Sequence, residues 1–476
     1  MILAFLIAAT VPTGVTPNDG NDDAAGFRSA LATACGAGGD HVLDLTQLAA
    51  GTYDFTQESG KLGSLNVSGC AGLTVRGLGA QTRLRMIAKY MASGSDWYLF
   101  NVDSSSSDIE FADLTLDGSR AGFEALGALA EQVHLIRING ASRVSVRNVS
   151  FEHGFGDGIK ALSLDDLSVA DSRFRDLARG GIVGHSGVTD ARIVGCSFDS
   201  IVDQHIQTEG AGGDARWTIA GNNFGASTGL VMDLGSSSGS GAVDITVTGN
   251  TFDDGRIQMY GLERFTFSGN TITASTGTAL YLKGKVRDGV IANNSILSSA
   301  SAYAVNVEAL DTTRDPTRLL FSGNVIRHSG SVGLRVISGL GAIAVSGNHI
   351  EDTSTSTTST GIQIGNTIAA NQRGIVLAGN NVINQGAYGI NVSVGNNASS
   401  SQDDITINGN VVVSTKSGAK GVYNWTNNAA GIPYPTKCRG DGNVLDVAGT
   451  KWTTVGATSP APTSAQGCRE HGDSVP

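Results

Sequence analysis

The chain has 476 residues and a formal net charge of −11, because 43 Asp and Glu residues outnumber 32 Lys and Arg residues. This excess of negative charge disfavours nucleic acid and an anionic membrane surface as partners. Hydrophobic residues make up 40% of the chain and aromatic residues only 6%, which favours a narrow core of stacked Val, Ile and Leu.

An apolar run, residues 2–9, opens the chain. It is too short to span a bilayer, and no other segment is a candidate membrane span. One interpretation is a short signal peptide, although the usual Lys or Arg before the apolar stretch is missing. The other is an apolar strand that anchors the first coil. We assign residues 1–14 to this signal peptide or anchor strand.

A short amphipathic helix is predicted next, with Asp22 or Asp23 as its N-cap and Gly36 at its end. Its apolar face is formed by Phe27, Ala30, Leu31 and Ala34. A strand follows from His41 to Leu45. Because such a helix can cover the open apolar end of a solenoid, we interpret residues 15–60 as an N-terminal cap helix with a first strand.

Most of the remaining chain repeats a Gly-Asn motif followed by an apolar or aromatic residue. The recurring Asn residues are Asn148, Asn222, Asn250, Asn270, Asn293, Asn324, Asn348, Asn380 and Asn410. From Asn222 onward the steps lie between 20 and 32 residues, and Ser172 and Cys196 fill the gap after Asn148. A period in this range is the signature of a solenoid.

Each repeat contains two short runs in which apolar and polar residues alternate, which predicts strands. The sequence therefore predicts an all-β fold, a solenoid of about twelve β-coils, which we place at residues 61–428. We expect the recurring Asn to adopt left-handed backbone geometry and to hydrogen-bond its copy in the next coil. This role is structural rather than functional.

The C-terminal segment, residues 429–476, departs from the repeat. Four cysteines lie near the two ends of the chain, namely Cys35, Cys70, Cys438 and Cys468. Disulfides at both ends would indicate an oxidising compartment, whereas the alternative is four unpaired thiols. We interpret residues 429–476 as a disulfide-closed cap or tail. Cys196, at an Asn position of the repeat, is expected to be a buried free thiol.

The N-terminal motifs also support a resemblance to a known family. The segment from Asn21 to Leu45, the Gly-Thr-Tyr turn at Gly51 and the Gly-Asn coils up to Val412 resemble right-handed parallel β-helix proteins of the pectate-lyase-like superfamily. The resemblance covers most of the chain and implies a right-handed parallel β-helix with an N-terminal capping helix. It implies less about chemistry, because this superfamily includes polysaccharide lyases and hydrolases, uronan epimerases, phage tailspikes and non-catalytic adhesins.

Alternation in the second strand of each coil predicts two columns of outward side chains. The first column is Arg137, Lys160, Val183, Gln207, Val231, Gln258, Tyr281, Asn306, Arg335, Gln363 and Asn391. The second column is Asn139, Leu162, His185, Glu209, Asp233, Tyr260, Lys283, Glu308 and Ile337. A polar face with Tyr platforms suits a sugar chain, because rings stack on Tyr while amides and charges bind hydroxyls and carboxylates.

Candidate catalytic residues on this face are Lys160, His185, Glu209 and Asp233. If Glu209 and Asp233 occupy adjacent coils, roughly 5 Å apart, the pair suits a retaining glycosidase. A lyase would instead use Lys160, Arg137 or His185 to take a proton next to a uronate carboxylate. The alternative is a solvated charged face without chemistry.

Substrate binding is expected from the neighbouring outward residues, namely Arg137, Gln207, Gln258, Tyr260, Tyr281, Lys283 and Glu308. The sequence requires no cofactor. Calcium is one option, with Asp203, Glu209 and Asp233 as its ligands.

We therefore expect an extracellular protein that binds and cleaves a polysaccharide, as a lyase or a glycoside hydrolase, along one outer face. The alternatives are a phage tailspike or other receptor-binding particle component, and a non-catalytic surface adhesin. The protein would be secreted as a monomer in the first case, or exposed on a virus particle as a homotrimer in the second.

Overall fold

In the computed structural model, the chain forms two compact units, Met1–Ser240 and Gly241–Pro476. The structure describes residues 9–36, 38–39, 41–87, 96–125, 132–209, 213–235, 241–275, 277–298, 303–309, 318–338, 341–366, 371–394, 401–426, 438–449, 452–456 and 469–471. In both units the strands pair in parallel with the equivalent strands of neighbouring coils, and they form three ladders.

In the first unit, the two long strands Ser107–Asp117 and Ser142–Glu152 belong to both the first and the second ladder. The other strands of the first ladder are Val42–Asp44, Thr74–Arg76, Asp165–Ala170, Thr189–Val194 and Thr218–Ala220. Those of the second ladder are Gly51–Phe55, Thr82–Met86, Arg173–Arg175, Ser197–Asp199 and Asn223–Phe224. The third ladder consists of Gly63–Val67, Trp97–Val102, Val133–Asn139, Ile159–Leu162, Ile182–His185, Ile206–Glu209 and Met232–Gly235.

The second unit repeats this organisation with one strand from each coil in each ladder. Its first ladder is Val243–Thr248, Glu263–Ser268, Arg287–Ala292, Leu319–Ser322, Ile343–Ser346, Asn371–Ala378, Ser401–Asn408, Cys438–Asp441 and Arg469–His471. Its second is Thr251–Phe252, Thr271–Ile272, Ser295–Ser298, Val325–His328, His349–Asp352, Asn381–Ile383, Val411–Ser414 and Val444–Val447. Its third is Ile257–Tyr260, Leu280–Lys283, Tyr303–Ala309, Val332–Ser338, Thr360–Asn366, Tyr388–Val394, Lys420–Thr426 and Trp452–Gly456.

The predicted all-β fold, a parallel β-helix, is confirmed. Among the described residues the third ladder has seven strands in the first unit and eight in the second, so there are more coils than the twelve or so predicted. The Gly-Asn motif, on which the predicted number of coils depends, is absent from the coils before Asn148. Strands after Cys438 also continue the ladders into the segment that we interpreted as a tail.

The predicted cap helix is Ala24–Cys35, and its predicted apolar face is buried. Phe27 packs edge-on against Tyr53 and Phe55, with ring centroids 5.5 and 4.9 Å away. The other helices are Arg120–Ala125 and the short 3-10 helix Gly79–Gln81. None of the helices formed by the described residues has the length and apolar character that a membrane crossing requires.

The predicted pairing of Cys35 with Cys70 is confirmed as a disulfide. It joins the last residue of the cap helix to the coils, and such a cross-link stabilises a fold mainly by restricting the unfolded chain. Cys196 is a buried free thiol, as predicted. The side chain of Cys438, all of Cys468 and residues 1–8 lie outside the described part of the chain.

The predicted Asn ladder exists at the corner between the first and second ladders. Its buried members are Asn222 in the first unit and Asn250, Asn270, Asn294, Asn324, Asn348, Asn380, Asn410 and Asn443 in the second. The amide of Asn324 is typical: Nδ2 donates to the Ile291 carbonyl at 2.9 Å and to Asn348 Oδ1 at 2.8 Å. Its Oδ1 accepts the backbone N–H of Asn294 at 3.1 Å. The Asn side chains therefore supply hydrogen bonds where the turn between the two ladders interrupts the backbone hydrogen bonds.

Two of the predicted ladder positions are wrong by one residue. Asn148 and Asn293 are exposed and have positive φ angles of 52° and 55°, the conformation that Gly adopts at the equivalent position of most coils. The ladder residue after Asn293 is Asn294. Left-handed geometry and hydrogen bonding thus belong to two successive residues. Ser172 does occupy a ladder position, because its hydroxyl accepts the Val149 N–H at 3.2 Å.

Ion pairs between Asp and Arg side chains lie near the N-terminal ends of strands in the first ladder. We call them the corner charge column. Its pairs are Asp108–Arg143 and Asp190–Arg216 in the first unit and Asp244–Arg264 and Asp288–Arg318 in the second. Arg264 bonds both carboxylate oxygens of Asp244, at 2.7 and 2.9 Å. Because these Arg side chains are about half exposed, solvent screens each pair and its contribution to stability is small.

Candidate functional site

The outward residues of the third ladder in the first unit lie on the predicted side of the strands, although Val183, predicted to be outward, is fully buried. Lys160 lies between Arg137 and Val183, and Val183 is followed by Gln207. In the second column His185 lies beside Glu209. The register of these four strands therefore agrees with the alternation of the sequence. We call this surface the first-unit face.

The predicted contact between Glu209 and Asp233 is wrong. Asp233 pairs with Gln207, and Met232 pairs with Ile206. The coil is two residues longer than the alignment assumed, because Val231 is not on the face but fully buried ahead of the strand. A shift of two residues preserves the alternation of inward and outward side chains, so the sequence pattern does not reveal it. The geometric basis for a retaining glycosidase is therefore lost.

The Glu209 carboxylate is the centre of a charged network on the first-unit face. Lys160 Nζ donates to Glu209 Oε2 at 2.6 Å, and Arg179 Nη2 lies 3.7 Å from Oε1. The Lys160 side chain is only 7% exposed, whereas that of Glu209 is 35% exposed. Burial raises the pKa of Glu209, but the hydrogen bond from Lys160 and both positive charges outweigh it, so the pKa is lowered. Glu209 is thus an ionised carboxylate that a ligand can reach.

A fully buried carboxyl group lies behind this network. Asp157 Oδ1 accepts the Gly180 N–H at 2.9 Å and is 3.5 Å from Arg179 Nε. Burial raises the pKa of Asp157 to about 6, against the opposing charges of Arg179 and Lys160. His134 Nδ1 accepts the backbone N–H of Asp157 at 3.0 Å, and burial holds the pKa of His134 well below its ordinary value. Asp157 therefore positions Arg179 from beneath the face and is not itself exposed to a ligand.

An aromatic platform borders the network. The Tyr98 ring stacks on His134 with centroids 5.5 Å apart, and burial raises the pKa of Tyr98 to about 12. The Arg137 guanidinium lies 5.2 Å above the centre of the Tyr98 ring and donates to Asn101 Oδ1 at 3.0 Å. Arg137, a predicted substrate-binding residue, is therefore held in a defined position.

The metal ligands predicted for calcium are not brought together. Asp233 is not in register with Glu209, and Asp203 lies in the turn before the strand Ile206–Glu209. No group of three or more His, Cys, Asp and Glu side chains suited to a metal ion occurs among the residues that the structure describes.

In the second unit the outward columns also have the predicted register. Gln258 pairs with Tyr281 and Tyr260 with Lys283, and Tyr281 and Lys283 pair in turn with Asn306 and Glu308. Lys283 Nζ lies 5.7 Å from the ring centres of both Tyr260 and Tyr281. We call this surface the second-unit face.

Glu308 is the acidic centre of the second-unit face. It accepts the Tyr281 hydroxyl and is 3.1 Å from Arg335 Nη1, whose guanidinium lies 4.4 Å from the centre of the Tyr303 ring. Burial raises the pKa of Glu308, but the Tyr281 and Asn306 hydrogen bonds and the Arg335 charge lower it overall. Burial and Glu308 raise the pKa of Tyr281. These contacts hold two aromatic rings beside an ionised carboxylate.

The sequence pattern missed a second aromatic pair on this unit. The rings of Tyr388 and Tyr423 stack with centroids 4.5 Å apart, and Lys420 Nζ is 5.3 and 4.8 Å from their centres. Tyr388 stands two residues before the inward Ile390, so alternation assigns it to the interior. His134 and Arg179 were missed in the first unit for related reasons, because one has inward parity and the other lies in a turn.

His205, in the turn before the strand that carries Glu209, is a buried titratable group without polar contacts. Its ring lies 5.9 Å from those of Phe198 and Phe224, and neither ring nitrogen has a hydrogen-bonding partner among the described residues. Burial lowers the pKa of His205 to about 3. The unfolded chain therefore binds a proton that the folded chain does not. This contribution to stability is complete above the unfolded pKa of about 6.5 and is lost as the pH falls towards 3.

We expect His205→Phe to remove this acid sensitivity, because Phe keeps the stacked ring and cannot be protonated. The gain in unfolding free energy over wild type should be about 2 kcal/mol larger at a pH of about 5 than at a pH of about 8. Urea unfolding of both proteins across this range measures the difference. Parallel pH profiles would contradict the assigned burial of a neutral His205.

Comparison with known proteins supports the fold. The family model for the right-handed β-helix region matches residues 189–339 and 255–432, which together make slightly more than half of the chain. No curated protein matches significantly.

Three solved structures illustrate the structural similarity. The pre-mature gene product 12 of bacteriophage phi29 has a TM-score of 0.56 at 11% identity, over 96% of this chain and 72% of that one. The catalytic unit of an α-1,3-glucanase from Streptomyces thermodiastaticus has a TM-score of 0.45 at 14% identity, over 94% and 70%. The surface protein and adhesin PfbA of Streptococcus pneumoniae has a TM-score of 0.42 at 14% identity, over 87% and 100%. At identities this low, the similarity concerns the fold alone.

Proposed function

The chain belongs to the family of proteins with a right-handed β-helix region, and on that premise we propose that it is an extracellular protein that binds and hydrolyses a polysaccharide. The chain of sugars would bind along the first-unit face, and its cleavage would take place at Glu209. The disulfide between Cys35 and Cys70 favours an extracellular location, because disulfides persist in oxidising compartments.

The proposal rests mainly on the ionisation and the exposure of the Glu209 carboxylate. A general base must be ionised and accessible at the working pH, and Glu209 is both, because Lys160 and Arg179 hold its pKa down while a third of its side chain remains exposed. Glu209 would take a proton from the water that attacks the anomeric carbon. The glycosidic carbon–oxygen bond would then break, and the leaving oxygen would need a proton from an acid.

We assign the acid to Asp233. The corrected register places it one strand away from Glu209 and two residues along, so their Cα atoms are roughly 8 Å apart. This Cα separation is compatible with the roughly 6.5–9.5 Å that inverting glycosidases keep between their two carboxyl groups to admit a water molecule. The arrangement therefore supports hydrolysis with inversion at the anomeric carbon.

The charges around Glu209 favour hydrolysis over elimination. A lyase needs a cation to neutralise the uronate carboxylate of its substrate, yet Lys160 already bonds Glu209 and Arg179 lies between Glu209 and Asp157. A uronate would have to displace an internal carboxylate. A neutral sugar chain meets no such competition.

Tyr platforms on the second-unit face would bind sugar rings on their own. Tyr281 and Tyr303 flank Glu308 and Arg335, while Tyr388 and Tyr423 form a separate stacked pair. Aromatic rings bind the apolar faces of sugars, and the adjacent charged groups can bind their hydroxyls.

A screen of neutral and acidic polysaccharides tests the proposal. We expect new reducing ends without the ultraviolet absorbance of an unsaturated sugar, and an inverted anomeric configuration in the first product seen by NMR. An unsaturated product would overturn hydrolysis, and a retained configuration would overturn the roles of Glu209 and Asp233. Binding without cleavage would contradict the enzymatic part, and neither binding nor cleavage of any polysaccharide would contradict the whole proposal.

A further inference from the structure

A cleft of about 460 Å³ opens in the first unit, where strands of the second ladder end beside the helix Arg120–Ala125. Its volume lies within the range of small-molecule sites. Its lining includes six ionisable residues, namely Arg85, Arg120, His153, Asp117, Glu124 and Asp176. None of these residues belongs to the first-unit face, so the cleft is a separate site.

Arg85 is fixed from behind by a buried carboxylate. Its Nε and Nη2 donate to the two oxygens of Asp54 at 2.7 and 2.9 Å. The Asp54 side chain is 4% exposed and that of Arg85 is 42% exposed. Because the bidentate bond uses one edge of the guanidinium, the N–H groups of Nη1 remain for a ligand. A rigid guanidinium loses little side-chain entropy when it binds.

Arg120 is fixed in a similar way on the other side of the cleft. Its Nε donates to Glu124 at 2.7 Å and its Nη1 to Asp176 at 2.9 Å, which leaves the N–H groups of Nη2. The helix that carries it is anchored by buried Phe123, whose ring lies 5.4 Å from Trp97. Two guanidinium groups in fixed positions therefore line one cleft.

Hydrogen-bond acceptors complete the lining. Asp117 accepts Arg83 Nη1 at 2.7 Å and the Ser119 N–H at 2.9 Å, and its Oδ2 lies 3.4 Å from His153 Nδ1. Asp176 and Glu124 are more exposed than Asp117. Hydroxyl groups of a ligand can thus donate to carboxylates and accept from guanidinium groups within the same cleft.

The balance of charge identifies the class of ligand. Three carboxylates face two guanidinium groups and one imidazole, and each guanidinium is already paired with a carboxylate. An anionic ligand that took the remaining guanidinium N–H groups would lie in the same cleft as three carboxylates and be repelled by them. A neutral ligand rich in hydroxyls keeps the pairs and gains charge-assisted hydrogen bonds.

We propose that this cleft binds a single neutral sugar ring of the hexopyranose class. The proposal does not depend on cleavage at Glu209, because none of the residues of the cleft takes part in that chemistry. The protein would then hold a sugar residue at the cleft independently of a chain bound on the first-unit face.

Titration calorimetry with neutral methyl hexopyranosides and the corresponding methyl hexuronides tests this site on the full chain. We expect a neutral glycoside to bind, and Arg85→Lys and Arg120→Lys each to weaken it at least about tenfold, because Lys lacks the forked donors.

The matched control is Arg76→Lys. Arg76 Nη2 donates to buried Asp44 at 2.9 Å and its side chain is 49% exposed, so it too pairs with a buried carboxylate, through a single hydrogen bond and outside the cleft. The affinity of the Arg76→Lys variant for the neutral glycoside should equal that of wild type. Equal losses in Arg76→Lys and Arg85→Lys, tighter binding of hexuronides, or no binding of any neutral glycoside would overturn the proposal. Glu209→Gln should leave the affinity of the cleft unchanged, which separates a failure here from a failure of the cleavage reaction.

Discussion

Replacing Asn294 with Ala is expected to lower the free energy of unfolding by about 4 kcal/mol, since it leaves several buried polar groups unpaired at about 1–3 kcal/mol each. Asn294 Nδ2 donates to the Phe267 carbonyl and to Asn324 Oδ1, each at 2.9 Å. Its Oδ1 accepts the backbone N–H of Asn270 at 2.9 Å and the Asn270 amide at 3.1 Å. Ala can replace none of these bonds, and Asn294 is only 1% exposed.

The neighbouring residue provides the control. Asn293 is exposed and has a φ of 55°, so Asn293→Gly removes a strained conformation and should change stability by no more than about 1 kcal/mol. Urea unfolding followed by circular dichroism measures both variants. Equal stability of the two variants would show that the buried ladder does not hold the coils together.

Glu209→Gln is expected to lower kcat on the polysaccharide that the protein cleaves by about a thousandfold, because Gln cannot accept the proton that a general base removes. Gln retains the shape of the side chain and an oxygen for the Lys160 bond. KM should change little, since the loss concerns the transition state rather than ground-state binding. Because Lys160 is nearly buried, the unfolding free energy of this variant has to be measured alongside its activity.

Glu308→Gln is the matched variant on the second-unit face. Glu308 is also a partly exposed carboxylate with a lowered pKa, with 27% of its side chain exposed, but we assign it to binding. It should weaken binding of the polysaccharide and leave kcat nearly unchanged. A similar fall in kcat for both variants would place the chemistry elsewhere than at Glu209.

The fold was predictable because its determinants are periodic. The Gly-Asn motif recurs in most coils from Asn222 onward, and alternation within each strand separates inward from outward residues, so most pairs from Arg137 to Asn391 have the expected register. Alternation shows which side chains point inward and which point outward, but it does not show which residues of neighbouring strands pair. The two additional residues before Met232 therefore shifted Asp233 without any visible break in the pattern.

Other features depend on information that a strand pattern does not contain. In Ala-Asn-Asn-Ser, residues 292–295, either Asn can be the buried one, and only the backbone geometry identifies Asn294. Arg179 reaches Glu209 from a turn, where alternation ends. The cleft at Arg85 and Arg120 combines residues from separate coils and a helix, and their approach depends on packing between side chains that the motif does not include.

The corner charge column has a consequence for how the second unit can change in length. Along this column Asp244, Arg264, Asp288 and Arg318 alternate in sign from one coil to the next. Loss of the coil that carries Arg264 would set Asp244 against Asp288, whereas loss of two successive coils would set Asp244 against Arg318. Insertion or deletion of a pair of coils in this stretch therefore keeps opposite charges adjacent at every step, whereas a change of one coil sets like charges side by side.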